Sequence, residues 1–375
     1  MIPNNRISLL WMRIGPYHAA RLRALAAEVN GAGSSVCGVQ VASRDLYEWA
    51  PVNNSGMVMR TIFPNADYNE LSPYQIRRGV GTLLNELSPS VVGINGWSVP
   101  EARAALAWCR NNNRKAILFS ETLSGSGLLS QARDVIKARI VKQFDAALVG
   151  GRLHKDYVVR LGLPANKVHL GYDVVENAHF SASKQLRDSA PIRGKAFLAS
   201  GRFIKRKNLH GLLAAYAGYI NEVSDPWRLL IAGSGEEDGR LRSLAVRLGI
   251  GAHVDWKGFV QYPDLPQLYA DADCFIHPAL HEPWGLVVNE ACAAGLPLLL
   301  SSQTGAACEL LQEGINGYTF DPKNRNAITG CMTRMHKLAD VERRSMSDAS
   351  IRIISDWGPE RFAHGFIAAV ESCGK

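Results

Sequence analysis

The sequence has few cysteines and no paired ones. Its 375 residues include 7 scattered cysteines, none of them in a C-x-x-C pair. This pattern excludes a disulfide framework and a zinc knuckle, and it favours a reduced, cytoplasmic chain. Apart from the Asp271-Ala-Asp273 motif described below, no cluster of histidines, cysteines or carboxylates has the spacing of metal ligands. The sequence therefore predicts no metal centre.

Long apolar runs are also absent. The first residues, MIPNNRISLLWMRIG, contain an apolar run of about six residues before Arg13, too short for the hydrophobic region of a signal peptide. No later segment reaches the roughly 18 consecutive apolar residues of a membrane span. The sequence therefore predicts a soluble or peripheral protein.

The charge is unevenly distributed. The net charge is +8, and residues 1–180 hold 20 Lys/Arg against 13 Asp/Glu, whereas residues 181–375 hold 22 against 21. The basic half indicates either a solvated helix face or attraction to an anionic membrane or an anionic lipid-linked acceptor. We predict no nucleic-acid partner. The cations predicted to share or adjoin one helix flank are Arg114, Lys115, Arg133, Lys137, Arg139 and Lys142.

The chain opens with a strand, a loop and a helix. RISLLW (6–11) reads as a buried strand, AARLRALAAEV (19–29) as a helix, and residues 36–41 as a second strand. This βαβ unit implies a parallel sheet, in which ligands lie at the carboxyl ends of the strands. Gly15, Tyr17 and His18 follow the first strand and are expected to face a cleft. His18 is either a hydrogen-bond donor to a sugar or phosphate, or a helix cap.

The same succession continues to residue 170, so the first half reads as a doubly wound domain. A polar stretch rich in Ser, Lys and Arg (181–193) is interpreted as the interdomain linker. We therefore predict domains at 1–180 and 181–355, followed by a C-terminal helix within 356–375. The strands predicted after the first two are 58–63, 91–94, 116–119, 146–149 and 168–170, and the helices are 74–87, 100–111, 130–144 and 152–161.

The second half contains a basic turn after its first strand. Residues 196–200 read as the strand, and GRFIKRKN (201–208) places four cations in six positions. Arg202 and Lys207 are candidates for binding a diphosphate, because a guanidinium and an ammonium are its usual partners. The alternative is a basic surface loop.

A stretch from His277 to Pro297 (HPALHEPWGLVVNEACAAGLP) reads as a strand end, a loop and the start of a helix. Pro283 and Gly285 place Glu282 in the loop, and Glu290 is expected inside the helix. The N-terminus of that helix suits a diphosphate, with one carboxylate on a sugar hydroxyl and the other on a ribose. The alternative is two surface glutamates around an ordinary loop.

Two further motifs carry weaker signals. GSGEEDG (233–239) invites a dinucleotide-binding interpretation, but its third glycine is displaced by one from G-x-G-x-x-G and no acidic residue follows at the expected distance. Asp271-Ala-Asp273 spells a metal-binding D-x-D, yet it ends a predicted helix, LPQLYADAD, just before a strand. We interpret it as a cap and a turn.

These elements resemble family 4 of the retaining GT-B glycosyltransferases. EPWGLVVNE (282–290) resembles the Glu-x7-Glu signature of the family, and residues 201–207 resemble its G-R-x4-K element. The resemblance implies an α/β fold with two Rossmann-like doubly wound domains facing each other across a cleft. The C-terminal helix would cross back to the first domain. The paired glycines of some members are absent from the first loop here, and Ala306 stands where a second glycine is common.

The resemblance also implies a function. The first domain would bind the acceptor and the second the donor, in a retaining, metal-independent hexosyltransferase that uses a nucleotide diphosphate sugar and no cofactor. Its acceptor would be a glycan or a lipid-linked hydroxyl, in surface polysaccharide or glycolipid assembly. A nucleotide-sugar epimerase and a non-catalytic nucleotide-sugar-binding protein stay open as alternatives.

The resemblance assigns roles to residues of this chain. The diphosphate would be held by Arg202, Lys207 and the helix start at Gly285, Leu286 and Val287, the ribose by Glu290, and the donor sugar by Glu282. The glycine turn at Gly235 would line the nucleotide pocket. Phe259 and Val260 would face the nucleobase, or alternatively belong to the core. His18 completes the set of candidate catalytic residues.

Overall fold

The chain forms two compact units. The computed structural model describes residues 5–30, 33–45, 48–52, 56–123, 128–189 and 194–374, without the side chains of 128–132. Residues 1–175 and 358–375 make the N-terminal unit, and residues 176–357 make the C-terminal unit. The chain therefore passes between the units twice, at Val175–Glu176 and at Trp357–Gly358.

The N-terminal unit contains a seven-stranded parallel sheet, in the order β3-β2-β1-β4-β5-β6-β7. Buried apolar runs form its central strands, as expected where helices cover both faces of a parallel sheet. Its strands are β1 (Arg6–Trp11), β2 (Ser35–Arg44), β3 (Val58–Asp67), β4 (Val91–Asn95), β5 (Lys115–Ser120), β6 (Ala146–Val149) and β7 (Val168–Leu170). Its helices before the first crossing are α1 (Pro16–Asn30), α2 (Pro73–Leu87), α3 (Pro100–Asn111), α4 (Leu128–Val141) and α5 (Arg152–Arg160).

The C-terminal unit contains a six-stranded parallel sheet, in the order β10-β9-β8-β11-β12-β13. Its strands are β8 (Ala196–Ser200), β9 (Arg228–Ala232), β10 (Val254–Gly258), β11 (Cys274–His277), β12 (Leu298–Ser301) and β13 (Gly317–Phe320). Its helices are α6 (Asn177–Ser189), α7 (Leu209–Glu222), α8 (Asp238–Arg247), α9 (Leu265–Ala270), α10 (Leu286–Ala293), α11 (Ala307–Leu310), α12 (Arg325–Lys337) and α13 (Asp340–Ile354).

The last helix, α14 (Pro359–Ser372), returns to the N-terminal unit and packs against α1, β6 and β7. Phe362 and Phe366 are fully buried, and their ring centroids lie 5.7 and 6.0 Å from that of Phe119 on β5. The predicted fold class, with two doubly wound parallel sheets and a returning C-terminal helix, is confirmed.

The predicted linker at residues 181–193 is wrong for residues 181–189, while residues 190–193 lie outside the described residues. The segment 177–189 is helix α6, which packs on α9. Phe180 and Ser183 are fully buried there. The polar composition belongs to the exposed face of an amphipathic helix, and the crossing lies earlier, at residues 175–176.

The Asp271-Ala-Asp273 motif has a structural role in this fold, as predicted. Asp271 accepts a hydrogen bond from Gln267 (2.8 Å), and a carboxylate oxygen of Asp273 accepts one from the backbone N–H of Ala196 (2.9 Å). Asp273 thereby ties the end of the α9 segment to the start of β8. Within the described residues, no group of three or more His, Cys, Asp or Glu side chains is placed to hold a metal ion.

No helix among the described residues combines the length and the hydropathy needed to cross a membrane.

Candidate functional site

The basic turn after β8 folds back over its own first glycine. Gly201 has φ 149°, and the Lys207 ammonium would lie 3.7 Å from a Cβ at that position. A single turn of 3-10 helix covers residues 205–207, and Asn208 (φ 57°) leads into α7. Lys207 and Arg202 thereby line one small cavity at the carboxyl end of β8, together with Ser200, His277 and Pro278.

Glu282 lies beside this turn, although 75 residues separate it from Lys207. The strand order explains the proximity, because β8 and β11 are neighbours and their following loops leave the same edge of the sheet. One carboxylate oxygen of Glu282 binds the Lys207 ammonium and His277 Nε2 (3.1 Å), and the other binds the Arg206 guanidinium (3.2 Å). The Glu282 residue is 5% exposed. The site therefore contains a buried ion pair rather than two independent charges.

In this cluster, burial and the opposite charges of neighbouring groups shift the pKa values in opposite directions. Burial raises the pKa of Glu282, but the His277 hydrogen bond and the Lys207 charge outweigh it and hold that pKa well below its ordinary value. Burial lowers the pKa of Lys207, and Glu282 only partly offsets this. Burial also lowers the pKa of His277, so a neutral His277 donates its Nε2–H to the Glu282 carboxylate.

The loop after Glu282 delivers the N-terminus of α10. Gly285 adopts φ 96°, the left-handed region that favours glycine, and α10 begins at Leu286. Gly285, Leu286 and Val287 are half-buried. The first N–H groups of a helix have no acceptor within the helix, and its dipole favours anions at this end. This end of α10 is therefore suited to an anion.

The second carboxylate of the signature, Glu290, lies inside α10 as predicted. It is 2% exposed and accepts a hydrogen bond from the Tyr269 hydroxyl (2.7 Å). Tyr269 is itself fully buried on α9. The tyrosine therefore fixes one oxygen of the carboxylate.

The Gly233–Gly235 turn has a packing role. Gly233 and Gly235 have φ 135° and φ 152°, and a Cβ would lie 2.0 Å from the Gly201 carbonyl oxygen and 2.6 Å from the Phe203 carbonyl oxygen, respectively. The two glycines therefore allow this loop to lie directly on the basic turn. The half-buried Phe259 and Val260 follow β10, whose Gly258 carbonyl accepts a hydrogen bond from the Gly233 N–H (2.7 Å).

His18 lies in the N-terminal unit, at the start of α1. Its Nδ1 accepts a hydrogen bond from the Gly15 N–H (3.2 Å), and its ring centroid lies 4.9 Å from that of Trp11. Burial and the nearby Arg21 charge lower the pKa of His18 to about 3. The neutral ring therefore carries its proton on Nε2, which leaves a hydrogen-bond donor. Of the two interpretations of His18, the self-contained bond to Gly15 fits the helix cap, and the Nε2–H keeps the donor role open.

The lowered pKa of His18 predicts a pH-dependent stability. Between pH 7 and pH 5 the unfolded chain takes up a proton at this histidine, whose ordinary pKa is about 6.5, whereas the folded chain does not. The free energy of unfolding of the wild type should therefore fall more steeply on acidification than that of His18→Gln. Urea denaturation at pH 5, 6 and 7 measures the difference. His364→Gln, on an exposed side chain of α14, is the matched control. Parallel curves for the wild type and His18→Gln would contradict the prediction.

Three residues of the site were given no role from the sequence: Arg206, Tyr269 and His277. Arg206 was visible only as one cation among four, and His277 and Tyr269 only as parts of a strand and a helix. Arg206 and Tyr269 contact residues distant in sequence, and the contact of His277 with Glu282 depends on how the loop between them folds, so local patterns carried no signal for the three residues.

Comparison with known proteins gives a family match within the C-terminal unit. Residues 184–351 match the family model described as glycosyl transferases group 1. An uncharacterized glycosyltransferase of Methanocaldococcus jannaschii is 32% identical over 164 residues, which are 44% of this chain and 37% of that protein. The O-antigen chain mannosyltransferase B of Escherichia coli is 35% identical over 130 residues, 34% of this chain and 33% of that protein. The chain thus spans about a third of the length of each of these curated relatives.

A solved structure extends the likeness to the whole fold. The Anabaena protein HepE, crystallised with UDP and glucose, has a TM-score of 0.75 at 17% identity, covering 98% of this chain and 100% of that one. At this identity the likeness shows the fold alone. The fold is GT-B, and residues 184–351 match the model of the group 1 glycosyl transferases.

Proposed function

We propose that this protein transfers a sugar from a nucleotide diphosphate sugar to an acceptor hydroxyl, with retention of the anomeric configuration. The observation that carries the proposal is the meeting of Arg202, Lys207 and Glu282 at the carboxyl end of β8 and β11, directly before the N-terminus of α10. Two cations and a helix N-terminus suit a diphosphate, and the carboxylates suit hydroxyl groups.

Different residues would bind the different parts of the donor. Arg202, Lys207 and the Gly285–Val287 segment bind the diphosphate, Glu290 the ribose and Glu282 the sugar, with Gly235, Phe259 and Val260 beside the nucleoside. His18 would donate its Nε2–H to a sugar or phosphate oxygen. The family match of residues 184–351 and the UDP and glucose bound to HepE support a nucleotide-sugar donor. The family 4 assignment is part of the proposal.

Charge stabilisation would drive the reaction. The bond between the anomeric carbon and the phosphate oxygen breaks as the acceptor oxygen bonds to the same face of that carbon, and the acceptor proton passes to the leaving phosphate. Arg202 and Lys207 would stabilise the negative charge that develops on the diphosphate. Because fixed protein cations supply this charge, we propose that no metal cofactor is needed and expect turnover to persist in EDTA.

The acceptor is proposed to be a glycan or a lipid-linked hydroxyl in surface polysaccharide or glycolipid assembly. The name of the Escherichia coli relative, an O-antigen chain mannosyltransferase, supports this setting.

A transfer assay tests the proposed function. UDP-, GDP- and ADP-hexoses are incubated with and without glycan and lipid-linked acceptors, and the product linkage is read from its anomeric proton coupling. Acceptor-dependent release of nucleoside diphosphate with the donor's anomeric configuration is expected. Conversion of the donor to an isomer without acceptor would mean an epimerase, and binding without turnover would mean a non-catalytic protein.

We propose that helix α4 contacts an anionic membrane and that the acceptor lies in this membrane. Val135 and Ile136 are 58% and 60% exposed, and Arg133 and Arg139 on the same helix are exposed as well. Lys137, one of the cations predicted for this helix flank, does not contribute to the surface because it binds Asp134 and Tyr157. Exposed apolar groups beside cations match the chemistry of an anionic lipid surface.

Removing the apolar pair should weaken this contact. Val135→Ser/Ile136→Ser is expected to lower co-sedimentation with vesicles containing phosphatidylglycerol, and added salt should lower the wild-type signal, because screening weakens surface charge interactions. Val246→Ser changes an equally apolar, 74% exposed side chain on α8 of the other unit and serves as the control. Equal binding of the wild type to neutral and anionic vesicles would refute the proposed contact.

A further inference from the structure

Arg206 contacts residues 280–282 through both its side chain and its backbone carbonyl. Its guanidinium contacts a Glu282 carboxylate oxygen (3.2 Å) and the His281 carbonyl (3.3 Å), while its own carbonyl accepts a hydrogen bond from the Leu280 N–H (2.8 Å). The side chain is 39% exposed, against 7% for that of Glu282. Arg206 therefore spans the rim of the site and fixes residues 280–282 from outside.

The two cations on Glu282 occupy different surroundings. Lys207 lines the cavity that Arg202 and Ser200 also line, whereas Arg206 does not line it. The Lys207 side chain is only 12% exposed. An anion bound at the opening of this small cavity would therefore meet Lys207 and not Arg206.

Without a bound anion, Glu282 is the counter-ion of Lys207. A diphosphate carries more charge than a carboxylate and would compete for the same ammonium. Once Lys207 turns to the diphosphate, Glu282 would keep only His277 and Arg206 as partners. A buried carboxylate that loses its cations is costly, so the cation that stays determines whether the exchange is favourable.

We propose that Arg206 is a positioning residue for a counter-ion exchange: the donor diphosphate replaces Glu282 on Lys207, and Arg206 retains Glu282 in place for the donor sugar. This inference rests on the proposed function, because it assumes that a diphosphate binds at the opening of the cavity. It assigns a role to a third cation of the basic turn, beyond Arg202 and Lys207.

Loss of Arg206 should make Glu282 a stronger competitor for Lys207. Arg206→Met is therefore expected to weaken binding of the nucleoside diphosphate by about fivefold, the upper range for a partly exposed ion pair. Arg206→Lys should recover part of the affinity. In a Glu282→Gln background the effect of Arg206→Met should disappear, because the competing carboxylate is gone.

Isothermal titration with UDP, GDP and ADP on the four variants of this double-mutant cycle tests the inference. The exposed neighbour Lys205, changed to Met, controls for a general loss of positive charge. An undiminished effect of Arg206→Met in the Glu282→Gln background, or no effect in the wild-type background, would overturn the counter-ion exchange while leaving the proposed function intact. Failure of the wild type to bind any of the three nucleotides would overturn both.

Discussion

Lys207→Met is expected to lower kcat for sugar transfer by about 10²–10³-fold, the usual cost of removing one group that stabilises developing charge. The substitution removes the ammonium that lines the cavity with Arg202 and leaves Glu282 with Arg206 and His277. Methionine keeps much of the length and the apolar stem of lysine, so the change is mainly one of charge. Steady-state kinetics with the active donor measures the loss.

Lys205→Met is the matched control. It removes the same charge, but Lys205 lies two residues before Lys207 and its side chain is exposed. Its kcat should stay close to that of the wild type. Thermal denaturation of both variants checks that each is folded. A folded Lys207→Met enzyme with unchanged kcat would rule out Lys207 as a catalytic residue.

Gly305→Ala is expected to disrupt the loop that carries Glu282 and leads into α10. A Cβ at this position would lie 1.8 Å from the carbonyl oxygen of Pro283, so the backbone must move. The Gly305 N–H donates to the Glu282 carbonyl (2.9 Å), and the displaced segment carries both Glu282 and the start of α10. Overpacking of this kind costs about 1–3 kcal/mol in the free energy of unfolding, and nucleotide binding should fall as well.

Gly330→Ala provides the comparison for this prediction. Gly330 lies in α12, and a Cβ there would meet nothing within 4 Å. Alanine is the better helix former, by about 1 kcal/mol, so this variant should be as stable as the wild type or more so. Urea denaturation and nucleotide titration of both variants give the result. Equal stability and affinity of Gly305→Ala and the wild type would show that the loop tolerates the methyl group.

The fold was predictable because its elements have strong local patterns. Buried strands such as 196–200 and 298–301 are short apolar runs bounded by polar or glycine-rich loops, and the alternation of strands with helices implies parallel sheets. Helix α6 was missed because its local pattern is weak. Its exposed positions are rich in Ser, Lys and Arg, and Phe180 and Ser183 are its only fully buried described side chains, so its composition resembled a linker.

The sequence supplied the residues of the candidate site but not the contacts between them. Arg202, Lys207 and Glu282 lie in loops that follow strands, Glu290 lies inside the next helix, and this local context is visible in the sequence. The neighbouring positions of β8 and β11 bring Lys207 and Glu282 together, and sequence patterns do not specify strand order. For the same reason, the contact of Arg206 with Glu282 emerges only from the structure, whereas the contact of His277 with Glu282 depends on how the loop after β11 folds.

Nucleotide-induced thermal stabilisation tests directly whether the C-terminal unit binds the diphosphate of a sugar donor. UDP, GDP, ADP and their hexose derivatives are added to the wild type, Arg202→Ala and Glu290→Ala. We expect a rise in Tm with one nucleotide class for the wild type and little or no rise for either variant. No rise in Tm of the wild type with any nucleotide, or an equal rise in all three proteins, would contradict it.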